Sequence, residues 1–370
     1  MTDRVHSIDA MRIVAVVLVV AIHTDPFQGL GTAGNAVNFA IKTTARFAVP
    51  FFFLVSGYFF ARKTVDRDPR TYLLRRTVAL GSLYAFGLAL AAPAFFGGRL
   101  ATDVATGRPV VRAGAARIAA FLDPIELLYY GTSVSEVLWF LPALLFSLAF
   151  VAAFAAIGRP RVGLAVALCL HVVGLLGTSY TMFVDVPFEV RDGLFFGFFY
   201  VSLGYAIARH GWNPSRDRSG ILLALVACFV VLQIVEFSLL GYPLRGESFG
   251  SYVFAPSFGV TTAFLTLSLF LFLLSRPTLG AGTPLPSWGV YAVGIYVTHP
   301  VVLAAIRGLR DALAAAGWET VAAAFWHVGG TPSTVAGALG VYLLAHRLRI
   351  VEIGGSHFPG VPLLASRRSR

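Results

Sequence analysis

The sequence predicts an all-α, polytopic integral membrane bundle of about ten transmembrane helices, and three observations carry that reading. Hydrophobic residues make up 57% of the 370-residue chain and charged residues only 13%, where a soluble domain carries about 25% charge. Mean hydropathy is +0.77. The apolar residues also collect in runs of roughly 17 to 25, the length that crosses the hydrocarbon layer as a helix. A chain of this kind lacks the polar surface to cover itself in water. Its net charge of +11 would raise nucleic-acid binding in a soluble protein. Here the charges fall between the apolar runs and read as bilayer orientation, so lipid and not nucleic acid is the expected partner.

The first run, 8–27, is the weakest as a span. Its uninterrupted core, Ile13 to Ile22, is as short as the core of a signal peptide, and Arg12 and His23 flank it. No small-x-small cleavage site follows, the next residues being Thr24, Asp25, Pro26 and Phe27, which favours a retained membrane helix. Nine further spans are expected at 44–61, 77–97, 137–157, 162–179, 193–208, 219–240, 254–274, 288–306 and 320–346. Between the third and fourth lies the longest non-spanning stretch, 98–135. Within it 110–130 alternates apolar residues with Arg112, Arg117, Asp123 and Glu126 at near-helical spacing, which suits an interfacial helix or a solvated connector.

Basic residues set the orientation. With ten spans and the N-terminus in the cytoplasm, one side receives eighteen basic and six acidic residues and the other ten and twelve. Both termini and a tail at 347–370 are therefore expected in the cytoplasm, with 98–135 outside. No repeat, low-complexity tract or linker divides the chain, which reads as one domain, 1–370, in the cytoplasmic membrane. Cys169 and Cys228 lie in apolar runs without CxxC or Cys/His spacing, so neither a disulfide nor a metal is expected.

Ionisable groups inside spans are expensive in lipid and mark candidate chemistry. Arg12 and His23 are eleven residues apart, 20° past three full turns, so both project from one helix face with about 16 Å between their α-carbons. One face thus carries a permanent cation and, toward the outer end, an imidazole suited to proton transfer. The competing reading is that His23 caps a helix and Arg12 snorkels to headgroups. The segment Arg62, Lys63, Asp66, Arg67, Asp68, Pro69, Arg70, Arg75, Arg76 holds enough guanidinium groups to bind a polyphosphate, or to contact anionic lipid. No GxxxxGK[ST] loop or GxSxG elbow is present, which gives no support to nucleotide hydrolysis or to a serine hydrolase. Further candidates are Glu136 before Trp139, Arg191 and Asp192 at the start of the sixth span, and Tyr296 and His299 in the ninth. Pro300 follows His299 and frees carbonyls, as in cavity-lining membrane segments. His171 and Glu236 also lie in apolar runs. For all of these an interhelical hydrogen bond is the ordinary alternative.

These motifs, in order along nearly the whole chain, resemble the acyltransferase family 3 of integral membrane proteins. The stretch Ile8-Asp9-Ala10-Met11-Arg12 followed by His23 is similar to that family's signature of a basic residue, ten residues and a histidine. Val49 to Tyr58 resembles its Phe-rich Ser-Gly-aromatic segment, and Trp139-Phe140-Leu141 its aromatic fourth-span motif. Arg191-Asp192-Gly193 through Leu203-Gly204 resembles its sixth-span entry, and Tyr291 to His299-Pro300 its late Tyr-x-x-His motif. The resemblance implies transfer of an acyl group, commonly acetyl, from cytoplasmic acyl-CoA as co-substrate to a hydroxyl of a sugar, glycan or lipid-linked carbohydrate at the outer face. It implies His23 as general base and Arg12 as a cofactor-side or orienting cation. By position Arg67, Arg70, Arg75 and Arg76 would hold the donor phosphates, and Glu136, Trp139, Arg191, Tyr296 and His299 would contact substrate. Two departures stand out: no esterase-like domain follows the membrane part, and Glu136 stands where a polar residue or His is more usual. His23 could be polarised by Asp25 or by a neighbour on another helix. Ten helices with buried Arg, His and Glu also describe a transporter of an anionic or lipid-linked substrate, although no repeat relates the two halves, and a purely structural membrane subunit is a third class.

Overall fold

The computed structural model describes residues 4–65, 68–107, 109–133, 135, 137–188, 190, 193–247 and 253–353. Arg67, Glu136, Arg191 and Asp192 therefore lie outside the described residues. Among those described there is no strand, and the chain folds into fourteen α-helices: α1 His6–Thr24, α2 Gly31–Ala45, α3 Ala48–Lys63, α4 Pro69–Ala105, α5 Val110–Phe121, α6 Phe140–Ala156, α7 Pro160–Thr178, α8 Phe198–Arg209, α9 Ser219–Gly241, α10 Val260–Ser275, α11 Leu285–Trp288, α12 Ala292–Ala315, α13 Glu319–Ala324 and α14 Gly330–Arg347. Among the described residues, seven helical segments are long and apolar enough to cross a membrane, and three shorter apolar helices occupy Phe140–Ala156, Gly193–Arg209 and Val260–Ser275. The architecture is that of a multi-pass membrane protein.

Local chemistry explains where helices begin and end. Helix α1 stops at Asp25, whose φ of 49° is left-handed and whose N–H donates to the Ala21 carbonyl, with Pro26 next; an αL residue followed by proline is a common helix stop. Helix α4 begins at Pro69, a favoured first position, and the Asp68 carboxylate accepts from the backbone N–H groups of Arg70 and Thr71 at 3.1 and 3.0 Å. At 37 residues and 1.5 Å per residue, α4 is about 55 Å long, well beyond the roughly 30 Å hydrocarbon layer. Its far end is braced by α5, through an ion pair between Arg117 and the buried Asp103. Residues 110–121 are thus helical, and a π-helical turn follows at Ile125–Tyr130.

One element escaped the sequence reading. Helix α2 precedes the predicted second span and is too polar to count as one. It packs by Phe39, 3% exposed, while Asn38 donates through Nδ2 to the Pro26 carbonyl at 2.8 Å. The tightest helix pair is α3 with α8. A Cβ at Gly57 would lie 2.0 Å from the Val201 carbonyl oxygen, and one at Gly204 would lie 2.0 Å from that of Leu54. Small residues let membrane helices approach backbone to backbone where no hydrophobic force between them operates. Around this seam lie Phe51, Phe53, Phe60, Phe196 and Phe198, all essentially without exposure. Glu236 of α9 is also structural. Its carboxylate accepts from the N–H groups of Val260 and Thr261 at 2.8 and 3.0 Å and from the hydroxyls of Thr261 and Tyr180, so it caps the N-terminus of α10.

Candidate functional site

Helices α1 and α12 carry the site. Arg12 lies in the lower half of α1 and reaches Asp9 at 3.7 Å, while Asp9 accepts from Arg4 at 2.7 Å. At this end of the bundle opens a cavity of about 470 Å³, lined by Arg4, Arg12, Arg62, Lys63 and Arg76 with Asp9, Ser56 and Tyr72 among the other walls. A deeper, narrow cavity of about 40 Å³ shares Arg12, Ser56, Arg76, Leu80 and Val293 with it and continues to Val19 of α1 and Tyr296 of α12. Together they form a funnel that is cationic at its mouth and apolar at its tip. One helical turn beyond Val19 stands His23, and one turn beyond Tyr296 stands His299.

Those two imidazoles face each other, with ring centroids 5.6 Å apart and planes at 35°. Backbone chemistry orients the second. In an uninterrupted helix the Tyr296 carbonyl would accept from the N–H of residue 300, but proline has none. The His299 Nδ1–H takes that carbonyl instead, at 2.6 Å. The neutral ring is thereby fixed with its lone pair on Nε2, which is buried and has no hydrogen-bond partner among the described residues. The Tyr296 hydroxyl is spent on structure, since it donates to the Val137 carbonyl and accepts from the Phe140 N–H.

On the far side of the histidines lies a third cavity of about 550 Å³, lined by Thr24, Asp25, Gln28, Arg307, Arg310, Glu319, Trp326 and His327 among others. The Arg307 guanidinium donates through Nη2 to the His23 carbonyl at 2.8 Å. Asp25 does not polarise His23, because its carboxylate pairs with Lys42 at 2.6 Å; the residue facing His23 is the neighbour on another helix, His299. The charges of Arg46, Lys42 and Arg307 all act on His23, which sets it in a cationic surround.

The structure sorts the remaining candidates. Arg76 lines the funnel, whereas Arg70 and Arg75 are exposed and do not appear on its walls. Phe140, and not Trp139, lines the deep cavity; Trp139 packs against Phe53 and Phe140, each at 6.4 Å. His171 stacks on Phe199 at 4.4 Å. No group of three or more His, Cys, Asp or Glu side chains that could hold a metal occurs among the described residues. Arg4, Arg307, Arg310, Trp326 and His327 were not singled out from the sequence. The arginines follow a span like any other flanking charge, and only their separation of three residues, one side of a helix, marked them as a pair.

Comparison with known proteins gives the family of the chain. The acyltransferase domain family matches residues 5–345. An amino-acid racemase of Enterococcus faecalis is 25% identical over 332 residues, 84% of this chain and 42% of that protein. A serine/alanine racemase of Enterococcus gallinarum is 25% identical over 325 residues, 82% of this chain and 42% of that protein. The chain spans less than half the length of these curated relatives. No solved structure gives a significant match. With the acyltransferase domain matched from end to end of the helical bundle, from ahead of Arg12 to beyond His299, the chain belongs to the acyltransferase 3 family.

Proposed function

We propose that this membrane acyltransferase moves an acyl group, acetyl first of all, from acyl-CoA held at the Arg12 end to a hydroxyl of a sugar, glycan or lipid-linked carbohydrate at the His23 end. The observation that carries the reading is the pair of cavities approaching the His23–His299 pair from opposite ends of α1 and α12. The Arg12 end would face the cytoplasm, with both termini there and the three shorter apolar helices completing ten spans. The mouth of the funnel suits a nucleotide polyphosphate. It presents Arg62, Lys63 and Arg76, and Arg12 keeps a buried Nε without a partner among the described residues. Guanidinium groups bind phosphate through a planar fork. The narrow apolar tip, lined by Val19, Phe52 and Tyr296, leads from the Arg12 mouth toward His23, about 16 Å away along α1, a separation of the same order as the reach of a pantetheine arm.

In the transfer step the neutral His23 ring accepts the proton of the acceptor hydroxyl as its oxygen attacks the thioester carbonyl. The new carbon–oxygen bond forms, the carbon–sulfur bond breaks, and the proton passes to the departing CoA sulfur, so the enzyme ends unchanged. His299 holds His23 in position, and the surrounding cations favour the negative charge that gathers on the carbonyl oxygen in the transition state. The racemase activity named for the two relatives belongs to proteins more than twice as long as their matched part, and it is not assigned to this chain.

Purified protein incubated with acetyl-CoA should release free CoA in a manner that depends on added carbohydrate. An Arg62→Gln, Arg76→Gln double variant should lose about tenfold or more in apparent acyl-CoA affinity, because each charge-assisted contact is worth roughly 1.5 to 3 kcal/mol, while Arg70→Gln, Arg75→Gln should lose less. CoA that neither binds nor is released would overturn the enzyme reading in favour of a transporter. A cysteine placed at Arg70 that reacts with an impermeant reagent in intact cells would invert the orientation.

A further inference from the structure

The cavity at the His23 end has a chemistry of its own. Arg307 and Arg310 sit three residues apart on α12, and both guanidinium groups lie over the Trp326 ring, at 5.9 and 4.6 Å from its centroid. A guanidinium stacked on an indole keeps its N–H edge free for an in-plane acceptor. In Arg310 the Nε and Nη2 edge is taken by Asp311, at 2.8 and 2.7 Å, which leaves its Nη1 for an acceptor. Arg307 is tied by one N–H to the His23 carbonyl and is otherwise exposed toward the cavity. His327 adds a donor. Its Nδ1 accepts from the Phe27 N–H at 3.0 Å, which fixes its proton on Nε2. Asp311 offsets the charge of Arg310, Asp25 is paired with Lys42 and Glu319 is exposed at the margin, so among the described residues Arg307 carries the uncompensated cation of the cavity. Such a cavity is built from immobilised N–H donors, the lining that a carboxylate or phosphate oxygen requires and a neutral sugar does not.

We infer that the acceptor carries an anionic oxyacid group, phosphate or carboxylate, close to its reactive hydroxyl, and that Arg307 and Arg310 hold that group. The inference rests on the acyltransferase reading for the hydroxyl and on the cavity alone for the anion. Because Arg307 is bonded to the backbone of His23 itself, an anion on its free edge sets the bound molecule beside the turn of α1 that carries the imidazole. Electrostatic anchoring at a fixed distance from the base orients one hydroxyl among several, an advantage that proximity converts into rate.

The probes are glucose, glucose 1-phosphate and glucuronate, titrated onto full-length protein in detergent and followed by thermal shift and calorimetry, with acetyl transfer measured in parallel. The two anionic probes should bind at least tenfold more tightly than glucose. Arg310→Gln, which leaves the bond to His23 intact, and Arg307→Gln should each erase that preference without changing acetyl-CoA affinity at the opposite cavity; Arg307→Lys should restore part of it. Glucose 1-phosphate bound in detergent and displaced in nanodiscs of phosphatidylglycerol, but not of phosphatidylcholine, would keep the anion site and identify its source as a lipid headgroup. Equal binding of glucose and its phosphate, or a preference indifferent to both variants, would overturn the inference. Anion binding without acetyl transfer to any probe would leave the anion site standing and count against the acyltransferase reading.

Discussion

His299 of α12 and His171 of α7 are both buried imidazoles in apolar helices, 0% and 3% exposed, though in the sequence only His299 is followed by a proline. Their surroundings differ completely. His171 is sandwiched by aromatic rings, stacked on Phe199 at 4.4 Å and edge-on to Phe196 and Tyr200 at 5.4 Å each. His299 is bonded to a carbonyl that Pro300 left free, faces a second imidazole, and stands one turn beyond a cavity-lining tyrosine. Burial of a titratable group therefore says little about chemistry. A fixed tautomer, a partner ring and a nearby cavity set His299 apart from a histidine that serves as a polar phenylalanine.

The contrast is open to attack from both sides. The largest effect is expected at His23, where His23→Gln keeps a hydrogen-bonding shape but cannot accept a proton near neutral pH. Turnover should fall by about 10² to 10⁴, with acyl-CoA binding retained in an equilibrium assay; near wild-type transfer would end the general-base assignment and make His299 the next residue to test. His299→Phe removes the ring nitrogen from beside His23 without emptying its space, and misplacement of a reacting group can lower turnover by up to about a hundredfold. Binding of acyl-CoA should again survive, so the loss should lie in kcat.

Pro300→Ala probes the orienting bond alone. Alanine returns an N–H to compete for the Tyr296 carbonyl, and the loss or sharing of one hydrogen bond worth about 0.5 to 1.5 kcal/mol corresponds to roughly a twofold to tenfold fall in kcat, even though the helix itself should become more stable. An unchanged kcat would separate the proline from the histidine it precedes. The smallest effect is expected at His171→Phe, which conserves volume and stacking. Activity should stay within about twofold and stability within about 1.5 kcal/mol, read from the thermal midpoint in detergent. A large kcat loss there at unchanged stability would erase the distinction between the two histidines.

How much of this was legible follows from the kind of signal each feature leaves. Hydrophobic run length is local, so the apolar helices fall close to where the sequence puts them; the ninth was read as 288–306 and is built around Ala292–Ala315. Helix α2 was missed because a helix that packs by one face and lies beside others need not be apolar all round. The shared face of Arg12 and His23 follows from helical pitch, and the carbonyl freed by Pro300 from proline's missing donor. The exposure of Arg70 and Arg75 beside the inward-facing Arg76 could not be foreseen, because neighbouring arginines in a basic loop look the same until helix phase is set by packing.

The sequence by itself determined the class of the molecule, the positions of its apolar helices and the candidacy of single residues, since composition, run length and 100° periodicity act within one helix. Tertiary structure decided everything that depends on two helices meeting. It put His299 rather than Asp25 against His23, because Lys42 seventeen residues away claimed the carboxylate. It gathered Arg4, Arg62 and Arg76 around one cavity and stacked Arg307 and Arg310 on Trp326. Those juxtapositions rest on close approaches such as the glycine seam between α3 and α8, where the fit of one backbone against another is a property of both surfaces together and is written in neither run alone.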